Sequence, residues 1–199
     1  MTKKDISTSL EVLRQADYGS HYLIIYPSLT VLRQIYSRFI KTQLEENNEL
    51  IFVIPYYETT DKVRYILNEK TNYNNNNSSS SMINVDVRKY QKEGSLVIID
   101  SVRAYFKSNI ALESFIQKLV KQAESLGKSA VSVIADPGSF SLFGIMDKLI
   151  EYELSLPSKY DIALKRFCIC NQKDFDRFTE EQKQMLLRHH GNTLFVTSL

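Results

Sequence analysis

Residues 22–26, Tyr-Leu-Ile-Ile-Tyr, run without a glycine into Pro27-Ser28-Leu29-Thr30 and then into a long amphipathic stretch. A strand that turns straight into a helix can bind phosphate, because the first helical turn presents unpaired N–H groups and the positive end of the helix dipole. The strong version, G-x-x-x-x-G-K-[ST], adds glycines that let the backbone wrap the phosphates and a lysine that neutralises them. Neither is present here, and Pro27 has no N–H to offer. Ser28 or Thr30 is left to cap the helix, with the Tyr26 ring beside it. A carboxylate or other small anion would still be drawn to that helix end, though more weakly than to a turn with a lysine.

Other residues could complete a site. Leu96-Val97-Ile98-Ile99-Asp100-Ser101 is an apolar run closed by an acid, like the magnesium-holding strand of nucleotide-hydrolysing enzymes. Asp100 could equally cap the turn that follows. Arg103 and Tyr105 come three and five residues later, and an arginine there pairs with Asp100 or grips an acidic ligand. His21 opens the first strand, where an imidazole donates to a ligand or to its own turn. Glu153 sits on a helix beside Tyr152; buried, it would demand a partner, with His21 or Arg103 as candidates. His21, Cys168, Cys170 and His189 supply zinc-type ligands, but their spacing matches no finger or zincin pattern. No nucleophile motif occurs. No catalytic residue, metal or cofactor is therefore expected.

The elements that must position these residues are legible from periodicity. Apolar residues at helical spacing mark helices over 5–15, 30–46, from Thr60, 110–126, 143–156 and 174–189. Short β-rich runs mark strands at 22–26, 50–54, 96–100, 130–134, 164–170 and 193–197, and Ile83 to Val87 alternates like an edge strand. Runs apolar on both faces fit central parallel strands covered by helices on both sides. The Asn/Ser-rich tract 71–82 reads as a surface loop, too polar to offset its ordering entropy by burial. Strand–helix alternation specifies an α/β fold, a three-layer sandwich around a mainly parallel sheet, as one domain over 1–199. Ligands in such sheets bind beyond the carboxyl ends of the strands. That rule points to Tyr26 to Ser28, Tyr56 to Glu58, Asp100 to Arg103 and Asp136 to Ser139.

Composition narrows the function classes. A net charge of +2 with scattered lysines and arginines argues against a nucleic-acid surface. No apolar stretch approaches the roughly 20 residues of a membrane span, and the first residues show no signal-peptide core. Two cysteines spaced i, i+2 on a strand are poorly placed for a disulfide, so a cytoplasmic protein with buried thiols is expected.

Strand, helix with Arg38-Phe39-Ile40, then Asn48 to Val53 and Tyr57-Glu58 resembles the opening of the RecA-like, circadian-clock-type ATPases. In that family an acid pair follows the second strand; here Glu58 holds the second place and Tyr57 replaces the first. A closer resemblance is to the branch without a phosphate loop, the MEDS domain, a sensory domain of methanogen and methylotroph regulators. Its Gly-x-His is matched by Gly19-Ser20-His21, its Tyr-Glu pair by Tyr152-Glu153, and its closing histidine by His189 or His190. Its Cys-x-Tyr-Asp segment becomes Cys168-Ile169-Cys170-Asn171. The similarity spans roughly 15–198.

This resemblance implies a RecA-like sheet with a degenerate phosphate loop, used for sensing and not for catalysis. A small organic ligand or anion would be held by His21, Tyr26, Ser28, Glu58, Asp100, Arg103, Tyr105 and Glu153. Relatives usually carry a DNA-binding or kinase module, for which this chain leaves no room, so output is expected through a protein partner or self-association. The alternatives are a degenerate relative that binds Mg-nucleotide through Asp100 and Glu58, or a docking subunit for RecA-like assemblies.

Overall fold

The five side chains of Leu50–Ile54 and the five of Val131–Ala135 are all buried, as only a strand covered on both faces allows. Burial at about 1.5–3 kcal/mol per large apolar side chain offsets the ~1–2 kcal/mol per residue spent on ordering the backbone. The computed structural model describes residues 3–69, 84–107 and 111–197. Its strands are β1 (Lys3–Lys4), β2 (His21–Tyr26), β3 (Leu50–Ile54), β4 (Leu96–Ile98), β5 (Val131–Ala135), β6 (Leu164–Asn171) and β7 (Asn192–Val196). They lie in the order β1-β7-β2-β6-β5-β3-β4, and every ladder is parallel.

Helices α1 (Ile6–Arg14), α2 (Leu29–Glu45), α3 (Thr60–Asn68) and α4 (Val87–Lys92) pack on one face. The other face carries α5 (Leu112–Ser125), α6 (Ser139–Leu142), α7 (Met146–Ser155), α8 (Gln172–Arg177) and α9 (Glu180–His190). Connections stepping towards β4 cross the first face and those stepping back cross the second, as a single crossover hand requires. The result is a three-layer RecA-like sandwich. Among the described residues no helix is long and apolar enough to cross a membrane.

Several expectations change. The edge strand at 83–87 is not formed over its described part: Asp86 accepts from Lys89 N–H at 2.9 Å and starts α4, whose Val87 and Tyr90 share a buried side. Ile83 and the tract 71–82 lie outside the described residues. The helix over 143–156 forms as α7, starting at Met146, and a further short helix, α6, precedes it and stops before Gly144, whose φ is +66°. The helix over 174–189 breaks at Phe178, because Thr179 and Gln182 form a reciprocal capping box that starts α9 afresh. Strand β1 is too short to leave a periodic signal.

A buried ion pair crosses the sheet near its amino-terminal edge. Lys165 Nζ on β6 lies 2.7 Å from Glu49 Oε1, and Ser132 Oγ on β5 donates to Glu49 Oε2 at 2.6 Å. A polar cleft of about 310 Å³, lined by Asp17, Tyr18 and Asn47 among others, adjoins the pair.

Candidate functional site

The chain leaves β2 and β3 for one face of the sheet and leaves β6 and β5 for the other. Crevices therefore open at the carboxyl ends, between β2 and β6 and between β5 and β3. Tyr26 ends β2 fully buried, and its phenol donates to Asp136 Oδ2 at 3.1 Å, across β6. Asp136 Oδ1 accepts from the Gly138 N–H at 2.9 Å. Next to them Tyr57 donates to Asp174 Oδ2 at 2.5 Å, and Arg177 stands 3.5 Å from the other Asp174 oxygen. Enclosed space between Tyr56, Tyr57, Glu58 and Asp136 amounts to about 20 Å³, room for one water.

Burial pushes the Asp136 carboxyl up to about 7, and the nearby Asp174 charge adds to the rise against hydrogen bonds from Gly138 and Tyr26. In the unfolded chain this acid has its ordinary pKa near ~3.9. Below pH ~4 it is protonated in both states and contributes no difference. Between about 4 and 7 the unfolded chain has released the proton while the folded chain holds it, so stability falls as pH rises, by roughly 3–4 kcal/mol in all. Asp136→Asn should remove that part of the slope while leaving acceptor and donor in place. Urea denaturation at pH 5 and pH 8 checks this: the variant should gain on the wild type at pH 8, and equal slopes would refute it.

Ser28 does cap α2, accepting from Val31 N–H at 3.4 Å. Glu58 is committed to α2, where Arg33 Nε donates to it at 2.8 Å and Tyr36 Oη at 3.2 Å. Asp100 lies beyond edge strand β4, four strands from β2, or ~19 Å at 4.8 Å per strand. It is exposed and accepts from Arg103 N–H at 3.1 Å, the capping alternative. Arg103 is exposed as well. Asp100 and the turn after β2 therefore cannot share one phosphate or metal. Asp136 is the acid that faces Tyr26.

His21 is separated from this crevice. It begins β2 at the other end, five residues or ~16 Å from Tyr26, so the expectation of one site holding both is corrected. Gly19, at φ +82°, makes the turn that brings it there. The Gly19 N–H donates to Leu164 O at 2.7 Å, and its carbonyl accepts from Tyr160 N–H at 2.8 Å.

His21 joins a buried polar cluster between the sheet and helices α7 and α9. Its Nε2 lies 3.2 Å from Cys168 Sγ on β6 and 3.9 Å from Glu153 Oε2 on α7. Glu153 Oε2 is 3.3 Å from Cys168 Sγ and 3.4 Å from His190 Nε2 on α9. Burial lowers His21 to about 3, reinforced by His190 and Arg166. For Glu153 burial acts upward, but His190 and the Arg166 charge outweigh it and hold the carboxyl below its usual range. Arg166, also fully buried, donates to Glu113 Oε1 at 2.6 Å and to Tyr152 Oη at 2.8 Å. The Tyr105 ring stands edge-on to Tyr152 and Phe140, on the same face as this network.

Of the eight expected site residues, His21 and Glu153 thus meet with Tyr105 close by, while Tyr26 stands at the opposite end of the sheet. Glu153 has His21 as partner, as expected, with His190 added and Arg103 excluded. Asp136 was nominated only as one of the residues that follow a strand, outside the expected ligand set, and Arg166 was given no role by the sequence. Arg166 could have been found as one of two adjacent charges, with Lys165, inside the otherwise apolar run 164–170. Cys170 and His189 stand outside the cluster; burial pushes the Cys170 thiol up. The fold defines the chain as an α/β protein of the parallel, RecA-like class. No family model and no curated protein matches it.

Proposed function

We propose that this chain is a non-catalytic sensory or regulatory domain, a MEDS-type relative of the RecA-like ATPases. It would respond to a small organic molecule at the carboxyl ends of β2, β5 and β3. The observation that carries this reading is the Tyr26–Asp136 pair, which occupies the mouth of the strand where a phosphate loop would grip nucleotide. With Ser28 spent on its helix, Glu58 on Arg33 and Asp100 across the sheet, the groups that would hold Mg-nucleotide do not converge. The ligand would enter by displacing Tyr56 and Tyr57, and Asp136 and Asp174 would read its polar group.

Output would pass to a partner protein or a second copy. Phe106, Leu142 and Phe143 support this, since they stand exposed, with the two phenylalanine rings 5.0 Å apart. A cytoplasmic setting fits the two unpaired thiols.

Thermal denaturation with Mg-ATP and with a panel of small organic compounds tests the proposal. Mg-ATP at millimolar concentration should leave the midpoint unmoved, whereas a panel member or a co-purified compound found by mass spectrometry should raise it. A Mg-ATP shift abolished by Asp136→Asn would instead favour a degenerate nucleotide binder. Silence across the panel, with no partner recovered and a monomer on sedimentation, would sink the sensory reading.

A further inference from the structure

The buried cluster has a chemistry of its own, independent of the crevice at the other end of the sheet. Its four members come from four elements: His21 from β2, Glu153 from α7, Cys168 from β6 and His190 from α9. One ligand atom from each lies within 4.8 Å of all the others, and all four residues are buried. Zinc bonded to nitrogen, sulfur and oxygen at ~2.0–2.3 Å sets tetrahedral edges of ~3.3–3.8 Å. Four of the six separations, 3.2, 3.3, 3.4 and 3.9 Å, span that range, and the two from His190 Nε2 to His21 and to Cys168 lie within 4.8 Å.

The histidine tautomers are fixed by their outer contacts. His21 Nδ1 is 3.0 Å from Pro157 O, and His190 Nδ1 is 2.9 Å from Leu186 O. A carbonyl can only accept, so each Nδ1 carries the proton. In the neutral ring Nε2 then presents a lone pair to the cluster. A backbone carbonyl on the far nitrogen is the usual support of a metal-bound histidine.

With both rings neutral, two Nε2 lone pairs, a carboxylate and a thiol sulfur converge with a single proton among them, that of the thiol. It can serve His21 or Glu153 but not both. His190 Nε2 and Glu153 Oε1 are fully buried and have no hydrogen-bond partner. Such orphans are expensive in an apolar interior, and a cation bound at Glu153 Oε2 and His190 Nε2, which lie 3.4 Å apart, would satisfy the His190 lone pair and sit beside the orphaned carboxylate oxygen. A cavity of about 20 Å³ bordered by Glu153, Cys168 and His190 gives the approach.

We propose that His21, Glu153, Cys168 and His190 form a closed, four-ligand site for a divalent transition metal, zinc by its mixed nitrogen, sulfur and oxygen donors. Binding converts the Cys168 thiol to thiolate and releases its proton to solvent. Thiolate and carboxylate then neutralise the ion, and the centre ties α7 and α9 to the sheet. With all four positions filled by protein, the metal is structural or regulatory and keeps no place for an activated water.

Cobalt(II) substitution with zinc back-titration tests the proposal, using the full chain freed of any tag. One equivalent of cobalt should give the thiolate-to-metal charge-transfer band and the intense visible absorption of a tetrahedral ion, and one equivalent of zinc should bleach both. Cys168→Ser should abolish the charge-transfer band and weaken zinc by more than the ~100-fold typical of losing an outer-shell partner. Cys170→Ser, two residues beyond the cluster along β6, should bind as the wild type does. His190→Gln covers the case in which Cys168→Ser does not fold. A wild-type protein that gives no tetrahedral spectrum would overturn the site, as would a band that follows Cys170 and not Cys168.

Discussion

Lys165→Met is expected to cost about 3 kcal/mol, which for a chain of this length lowers the melting midpoint by roughly 6–12 °C. The lysine is nearly fully buried on β6 and its partner Glu49 is completely so. Removing the ammonium strands a carboxylate whose remaining partner in the cluster is the Ser132 hydroxyl. Water reaching in from the adjoining cleft relieves part of that penalty, which places the figure at the low end for a broken buried pair. Glu49→Gln combined with Lys165→Met should recover most of the loss, because the amide keeps an acceptor for Ser132 and carries no charge. The measurement is a double-mutant cycle by urea denaturation. A pair buried in this way is little screened, so the coupling should persist at high salt. Additive losses would mean that the two charges are solvated independently.

Gly19→Ala should be at least as damaging, on the order of 3–4 kcal/mol. Two costs combine there. An alanine at φ +82° occupies a region that L-residues avoid. Its Cβ would also lie 2.2 Å from the backbone carbonyl oxygen of Tyr160, which cannot swing aside as a side chain could. That carbonyl belongs to the segment that Gly19 itself pairs with, so relief of the clash loosens the entry to β2 and moves His21. Gly144→Ala is the matched control, since φ there is +66° and a Cβ would meet nothing within 4 Å. It should show only the backbone cost, about 1 kcal/mol. Similar losses for the two variants would show that the contact with Tyr160 carries no weight.

These residues also show what could be read from the chain. The six long strands were legible because each is an apolar run bounded by a turn residue, and α2 and α5 because their apolar positions recur at three and four. Breaks inside helices were not legible. Thr179 and Gln182 form a cap only once the chain before them has turned, and Gly144 ends a helix only when it takes a positive φ. Sheet order was the larger omission. Asp100 closes a run much like a metal-holding strand, yet among the described residues β4 pairs with β3 alone and forms the edge. No local pattern records which strand lies beside which, so Asp100 was preferred to Asp136. His21 and Tyr26 were placed together because the resemblance implied one ligand site, although the carboxyl-end rule admits Tyr26 and not His21. The ligand-type residues were all visible, but their grouping depends on α7 and α9 crossing the same two strands.

The position of β2 has a consequence for how the chain folds. It pairs with β6 and β7 on its two sides, so its first partner begins at Leu164, 138 residues after β2 ends at Tyr26. Most of the protein must be made before the central ladder can close. Closure of so long a loop comes early in cost and late in reward, which slows folding. Until then Leu23 to Tyr26 is an apolar, β-forming segment with open backbone groups, held only by α1 and α2. During synthesis or refolding this is the segment most exposed to wrong pairing. Holding that strand until β6, 138 residues further on, arrives is the task a chaperone would have here.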